Sequence, residues 1–480
     1  MTADGASHSI TSTAAGANSC TTGATTFNAP AGCAPNLCAS GELGGTVYFD
    51  YDADGVKDSG ETNGAPSVTV TAFDVNGTTY TATSDSSGRY EFSAANSNAI
   101  PAGSYPVRLE FTSLPASGLQ TTTPHGTNNA SSVQFASAAA CTFDVGVMDQ
   151  TGFCQSSPYV IVPCYANGDP APDVDANDAG DLDALVGFPY TASGGPTPGI
   201  MVHLATARQV GSLWGVAYNK FTKRLFSSAM LRRHVGLGPQ GLGGIYVTNL
   251  TTPTSPTTGN FIDVTSLGID LGQASVPSVA TRGLSRVKTA PSYDTTVFGL
   301  VGKVGIGDLD ISEDGNTLWF VNLFDDKLYS LDITAYNNDG TTLPTAANVS
   351  STTIPSLGCS NGVQRSWGTK VYKGQVYVGS ICDGSSGVTS DMRARISVFT
   401  PSGSTWATAF EFPLTYPKGY PFNNVPALTG WYRWTDSFAE FSTGQGTFSG
   451  LPLVVRPQPI LSDIEFDIDG SMVIGLGDRG

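Results

Sequence analysis

The stretch FDYDADGVKDSGE, residues 49–61, decides how the amino-terminal part of this chain is read. Only 13% of the 480 residues are charged, yet five carboxylates (Asp50, Asp52, Asp54, Asp58 and Glu61) crowd around Gly55. Val47, Tyr48 and Phe49 run into them like a buried strand, and GAPSVTVTAFD follows like another. Like charges this close repel unless something compensates them. The spacing fits D-x-D-x-[DN]-G-x5-E at every specified position. In that pattern Asp50, Asp52 and Asp54 converge on one point and Gly55 permits the sharp turn. The carbonyl of Val56 adds an oxygen, Asp58 binds directly or through water, and Glu61 closes the shell with both oxygens. Hard oxygen ligands on a loop of this length select Ca²⁺ over Mg²⁺, which demands a tighter octahedron. The competing reading is a solvated acidic turn.

Outward from the loop the pattern is β. In SYPVRLEF, residues 104–111, Tyr105, Val107, Leu109 and Phe111 alternate with Pro106, Arg108 and Glu110, giving one apolar and one wet face. SVTVTA alternates through Val68, Val70 and Ala72, and CTFDVGV through Phe143, Val145 and Val147. Asn76-Gly77 and Ser87-Gly88 supply turn chemistry between strands. Six or seven short strands over residues 41–149 predict a β-sandwich.

A loop of this type between strands, not helices, resembles a known family. The run GTVYFDYDADGVKDSGE, then GAPSVTVTAFDVNG, ATSDSSGRYEFS and IPAGSYPVRLEF, is similar to the B repeat of serine-aspartate repeat surface proteins, a Cna B-type sandwich, over residues 42–115. The resemblance implies an extracellular, calcium-stiffened spacer, with the ion at Asp50, Asp52, Asp54, Val56, Asp58 and Glu61. Many relatives lock themselves with a Lys–Asn isopeptide bond. Here the only lysine among residues 1–149 is Lys57, inside the acidic loop, so no internal isopeptide is expected.

Composition agrees with an all-β chain: 57 Gly and 29 Pro, and no sustained apolar spacing at 3.6 residues. A formal charge of −17 argues against nucleic acid or an anionic membrane as partner. The eight cysteines (20, 33, 38, 141, 154, 164, 359 and 382) form no C-x-x-C and no zinc spacing. Their even number in loop-rich surroundings favours disulfides and an oxidising compartment, with buried free thiols as the alternative. Cys359 and Cys382 form a local pair; the wider connectivity stays open. No hydrophobic leader and no run of eighteen apolar residues is present, so neither a signal peptide nor membrane insertion is expected of this stretch.

Residues 150–195 read as an acidic linker. Asp173, Asp175 and Asn177 begin like a second calcium loop, but Asp178 and Ala184 break it; an irregular cation site across Asp173–Asp183 is the alternative. From 196 to 480 an internal repeat appears. WGVAYNKFTKRLFSSA (214–229), DLDISEDGNTLWFVNL (308–323), WGTKVYKGQVYVGS (367–380) and DIEFDIDGSMVIGL (463–476) each read as strand, tight turn, strand. Three are followed by an outer-strand phrase: GGIYVTNL, DKLYSLDI and ARISVFTP. Such units cannot bury their faces alone. The expected architecture is a β-propeller-like domain, with a second sandwich array as the alternative. Its last copy ends two strands in, so the chain is either closed by an early strand such as YVIVPCY (159–165) or a fragment with an edge open to self-association.

No G-x-S-x-G, H-E-x-x-H or phosphate-cradling loop is present, and His8, His125, His203 and His234 lie far apart. Arg232, Arg233 and His234 form the densest basic stretch, read either as structural or as a grip on a carboxylate. Alignment of the repeats places Asp308 with Asp463 and Asp310 with Glu465, acids that satisfy backbone donors between blades, bind a cation or act as an acid/base pair on a sugar. Trp431, Tyr432 and Trp434 serve as core or stack on sugars, with Trp431 expected beside Arg433 and Tyr432 beside Trp434. The sequence therefore predicts a secreted or cell-surface protein of bacterial type: a calcium-binding β-sandwich followed by a β-propeller-like domain for adhesion or assembly. It would engage itself, an extracellular protein or a glycan. The rivals are an extracellular carbohydrate-active hydrolase or lyase and a subunit of an extracellular filament.

Overall fold

A computed structural model describes residues 38–480 except 40, 52, 54, 58–60, 62, 113, 115–118, 123–130, 150–157, 194–200, 253–254, 419–429, 443–446, 449–450, 453–455 and 467–470. The described residues fall into two compact units: those up to 57 with 63–148, and 149–480 with 58–62. Both are β-rich, so the chain is all-β as expected.

The first unit is a sandwich of two four-stranded sheets. Its strands are β1 (Leu43–Phe49), β2 (Thr69–Phe73), β3 (Thr79–Thr83), β4 (Arg89–Phe92), β5 (Val107–Thr112), β6 (Leu119–Thr121), β7 (Val133–Ala136) and β8 (Val145–Asp149). One sheet runs β4-β1-β8-β6 and the other β3-β2-β5-β7. β1 pairs antiparallel with β4 and parallel with β8, bringing Val47 opposite Val145 and Phe49 opposite Val147. The alternation seen in sequence becomes burial: Val70, Ala72, Val107, Leu109, Phe111, Phe143, Val145 and Val147 fill the space between the sheets. Eight strands form where six or seven were expected. The short β6 and β7 come from Ser- and Thr-rich sequence with little alternation to read. At the two turns it is Gly77 (φ +80°) and Gly88 (φ +75°) that take the left-handed conformation. Asp74 and Asp85 close these turns by accepting backbone N–H bonds from Asn76 and Thr78, and from Ser87 and Arg89. A disulfide joins Cys38 to Cys141. Cys20, Cys33 and Cys154 lie outside the described residues.

The second unit begins earlier than the sequence implied. Residues 150–195, expected as a linker, contain β9 (Tyr159–Pro163) and β10 (Asp183–Pro189), which join β11 (Val202–Thr206) in the order β11-β10-β9. Ala184 and Leu185 pack with Leu204, Leu213 and Tyr246 in a local core. The acidity between the strands is compensated by arginines. Arg208 pairs with Asp181 at 2.6 Å and Asp173 at 3.4 Å, and Arg286 with Asp178 and with Asp175 at 3.4 Å. Backbone N–H groups of Val174 and Asp175, together with Arg286, hold the buried Asp178 carboxyl down at about 2. Among the described residues β9 pairs with β10 alone, so it does not complete the carboxy-terminal sheet.

Next come three four-stranded meanders in sequence order. The first is β12 (Leu213–Asn219), β13 (Arg224–Ala229), β14 (Gly244–Asn249) and β15 (Thr257–Asp263). The second is β16 (Ile306–Ile311), β17 (Thr317–Asn322), β18 (Lys327–Asp332) and β19 (Val349–Thr353). The third is β20 (Gln364–Tyr372), β21 (Gln375–Cys382), β22 (Arg393–Thr400) and β23 (Thr405–Pro413). A short ribbon, β24 (Thr447–Phe448) and β25 (Leu451–Pro452), precedes the hairpin β26 (Pro459–Phe466) and β27 (Met472–Asp478). All four aligned repeats are the first hairpins of these sheets, and the three outer phrases are β14, β18 and β22. The first strands β12, β16, β20 and β26 lie side by side, and one hydrophobic core runs through the sheets they begin. The meander plan and serial stacking are propeller-like. Cys359 and Cys382 are bonded, as their spacing suggested.

Candidate functional site

Two places carry the acids singled out by the sequence. In the first unit β1 delivers Asp50, whose backbone N–H donates to Val147 (3.0 Å). Gly55, at φ +79°, turns its own N–H back to Asp50 Oδ2 at 2.8 Å. Gly146 lies so near that a Cβ there would sit 3.0 Å from the same oxygen. Asp50 is fully buried, and its Oδ1 has no hydrogen-bond partner. A buried carboxylate oxygen left unpaired is costly, and a cation at that atom removes the cost. Glu61, which groups with the second unit, is also buried, whereas Val56 is exposed. Asp52, Asp54 and Asp58 lie outside the described residues. Among those described, no group of three or more His, Cys, Asp or Glu side chains is placed to hold a metal.

In the second unit the four aligned acids do meet. A cavity of about 280 Å³ opens between the first strands, lined by Asp308, Asp310, Asp463 and Glu465 together with Lys370, Thr369, Ser462, Trp214 and Tyr165. Its origin is a repeated irregularity. β12, β16, β20 and β26 each slip register at the corresponding place: between Leu213 and Val216, Ile306 and Leu309, Ser366 and Thr369, and Leu461 and Asp463. Bulges re-aim side chains, and here each lies at the wall of the cavity. Glycine makes the close stacking possible. A Cβ on Gly215 would lie 2.5 Å from Leu309 N, on Gly307 2.9 Å from Trp367 O, and on Gly368 3.0 Å from Leu461 O.

The acids on β16 clamp the next sheet. Asp308 Oδ2 accepts from Thr369 N (3.1 Å), Asp310 Oδ2 from Val371 N (2.7 Å) and Glu313 from Gly374 N (2.9 Å), each partner lying 61 residues on. The inter-blade role is thus realised for Asp308 and Asp310. Lys370 reaches Glu465 at 2.9 Å and Asp310 at 3.8 Å. Burial and then the Asp463 charge push the Asp308 carboxyl well above the ordinary range. Asp463 is raised by burial and by Glu465, and Asp310 by burial against the pull of Lys370. Burial lowers the Lys370 ammonium, but Asp310 and Glu465 outweigh it and hold it above its usual value.

Other basic and aromatic expectations resolve as structure. His234 N donates to Asp294 Oδ2 and its ring meets Ser292 Oγ, while Arg233 donates to Asp294 O and lies over the Phe438 ring. Arg232 lies 4.1 Å over the Tyr165 ring. Trp431 and Trp434 are both buried in the core, so alternation misassigned their sides: residues 431–435 form no strand. Lys370 and Thr369 were missed, although each follows the WG pair shared by two repeats. Only the paired sheets reveal that the position after WG faces the acids.

Comparison with known proteins locates the first unit. Residues 41–154 match the family model described as the SdrD B-like domain. Two curated relatives come from Dictyostelium discoideum: Colossin-B, 27% identical over 467 residues, and Colossin-D, 26% identical over 340. These alignments take in 92% and 70% of this chain but only 11% and 32% of the relatives, so the chain spans a small part of either. Among solved structures, an auxiliary nutrient binding protein from Bacteroides thetaiotaomicron aligns over 90% of this chain and 96% of its own, at 10% identity and a TM-score of 0.28. The Myceliophteria thermophila Cps50 (Swd1) β-propeller domain aligns over 53% and 74%, at 10% identity and a TM-score of 0.22.

Proposed function

We propose that this chain is part of a secreted or surface-displayed structural protein in which Ca²⁺ on the 50–61 loop stiffens the sandwich and the propeller-like unit serves adhesion or assembly. The observation that carries this reading is the buried Asp50 oxygen without a partner, at the first position of a complete ligand pattern, inside a domain matching a B-like family. Asp50, Asp52, Asp54, the Val56 carbonyl, Asp58 and Glu61 would hold the ion. The ion would supply positive charge to a loop that otherwise repels itself. The two disulfides among the described residues support an oxidising compartment. No described helix is long and apolar enough to cross a membrane. Engagement of Asp308 and Asp310 by the neighbouring sheet supports binding over turnover in the second unit.

Calorimetry of the full chain in Ca²⁺ and in chelator tests the metal. Extracellular modules bind calcium in the ~0.1–1 mM range. At a hundredfold excess over the dissociation constant the first unit should gain about 2.7 kcal/mol. Asp50→Asn should abolish the gain. An unmoved transition in the native chain, or an equal gain in Asp50→Asn, would reject the site.

A further inference from the structure

We propose that the cavity between the first strands of the second unit binds a primary ammonium group. Three observations converge on it. Asp308 and Asp463 both line the cavity, and among the described residues no basic side chain lies within ion-pair distance of either; Lys370, held by Glu465 and Asp310, acts on Asp463 only from farther off. Thr369 also lines it, is buried to 2% exposure, and its Oγ1 has no hydrogen-bond partner. Trp214 supplies an aromatic wall beside the acids, braced edge-on by Trp367 with ring centroids 5.6 Å apart.

An ammonium group brings three N–H donors and one positive charge. The cavity offers it the Asp308 and Asp463 carboxylates, with the unpartnered Thr369 hydroxyl in the wall beside them. Charge-assisted bonds of this kind are the strong ones, and an aromatic face favours the cationic head and its attached carbon. A neutral polyol would bring no positive charge to the two carboxyl groups, whose mutual repulsion an ammonium relieves. A divalent ion needs a tight oxygen shell, and no described group of three or more acids is placed to form one. The ammonium could come from a free amine or from a lysine side chain of another polypeptide, and the probes separate these sources. This inference is independent of the 50–61 loop.

Isothermal titration of the full chain with propylamine, Nα-acetyl-lysine amide, glucosamine, glucose and CaCl₂ is the test, the last with the 50–61 loop disabled by Asp50→Asn. The amines should bind and glucose should not. Preference for propylamine would assign a free amine, and preference for acetyl-lysine amide a polypeptide lysine. Asp463→Asn should weaken amine binding about tenfold or more and Thr369→Val several-fold. Asp308 is left unaltered because it also clamps Thr369 N. Asp463→Asn should at the same time raise the melting temperature, since it relieves repulsion in an unliganded site; this readout confirms folding and separates a ligand site from a structural clamp. Glucose binding as well as glucosamine, Ca²⁺ binding in the Asp50→Asn chain with the amines silent, no binding by any amine, or amine affinity unchanged in a folded Asp463→Asn chain would each overturn the proposal.

Discussion

Asp294→Ala should destabilise the second unit by about 3–5 kcal/mol, the scale for breaking one side of a buried ion pair. Arg282 and Asp294 are 2% and 0% exposed and meet at 2.8 Å. Arg282 also donates to the carbonyls of Arg232 and Val235, and Asp294 accepts from His234 N. Removing the carboxylate leaves a guanidinium without its counter-ion in a place water does not reach. All six tryptophans lie at or beyond residue 214, so tryptophan fluorescence during denaturation follows this unit alone. The double variant Arg282→Met with Asp294→Leu should recover part of the loss, because no charge is then stranded. Recovery is incomplete because His234 N still lacks an acceptor. A loss below about 1 kcal/mol in Asp294→Ala would mean that the pair is solvated in solution.

Replacing Cys38 and Cys141 by serine should cost the first unit about 2–5 kcal/mol. The bond spans 103 residues, so it restricts nearly the whole unfolded sandwich. Chain-entropy arguments put loops of that size near ~4.7 kcal/mol, with measured values usually lower. Cys38 precedes β1 and Cys141 precedes β8, neighbours in one sheet, so the bridge staples a non-local contact. Calorimetry should show the loss in the transition that tryptophan fluorescence does not report. No change in that transition would show that the bridge is not formed in the purified chain.

What could be read in the sequence followed how strongly each element depends on alternation. β2 and β5 were legible because Val70, Ala72, Leu109 and Phe111 face the core in strict turn. The first hairpins of the second unit were legible because they repeat. Their outer partners β15, β19 and β23 were not: Val349–Thr353 is Ser- and Thr-rich, and Thr257–Asp263 and Thr405–Pro413 are largely exposed without an alternating buried face. β10 was hidden by the acids before it, whose charge is met by Arg208 and by Arg286, 108 residues from Asp178, while β9 read as a strand but not as the partner of β10. Distant compensation of this kind leaves no trace in local spacing. The cavity was half legible. Aligning repeats found Asp308, Asp310, Asp463 and Glu465, but Lys370 and Thr369 join them only through the register slip between Ser366 and Thr369.

The account rests on a cation at Asp50, and crystals grown in millimolar Ca²⁺ test this most directly through an anomalous difference map. The predicted result is one strong peak within about 2.3–2.6 Å of Asp50 Oδ1, with further oxygens from the 50–61 loop around it. A flat map at that oxygen, with the loop acids turned to solvent, would contradict it.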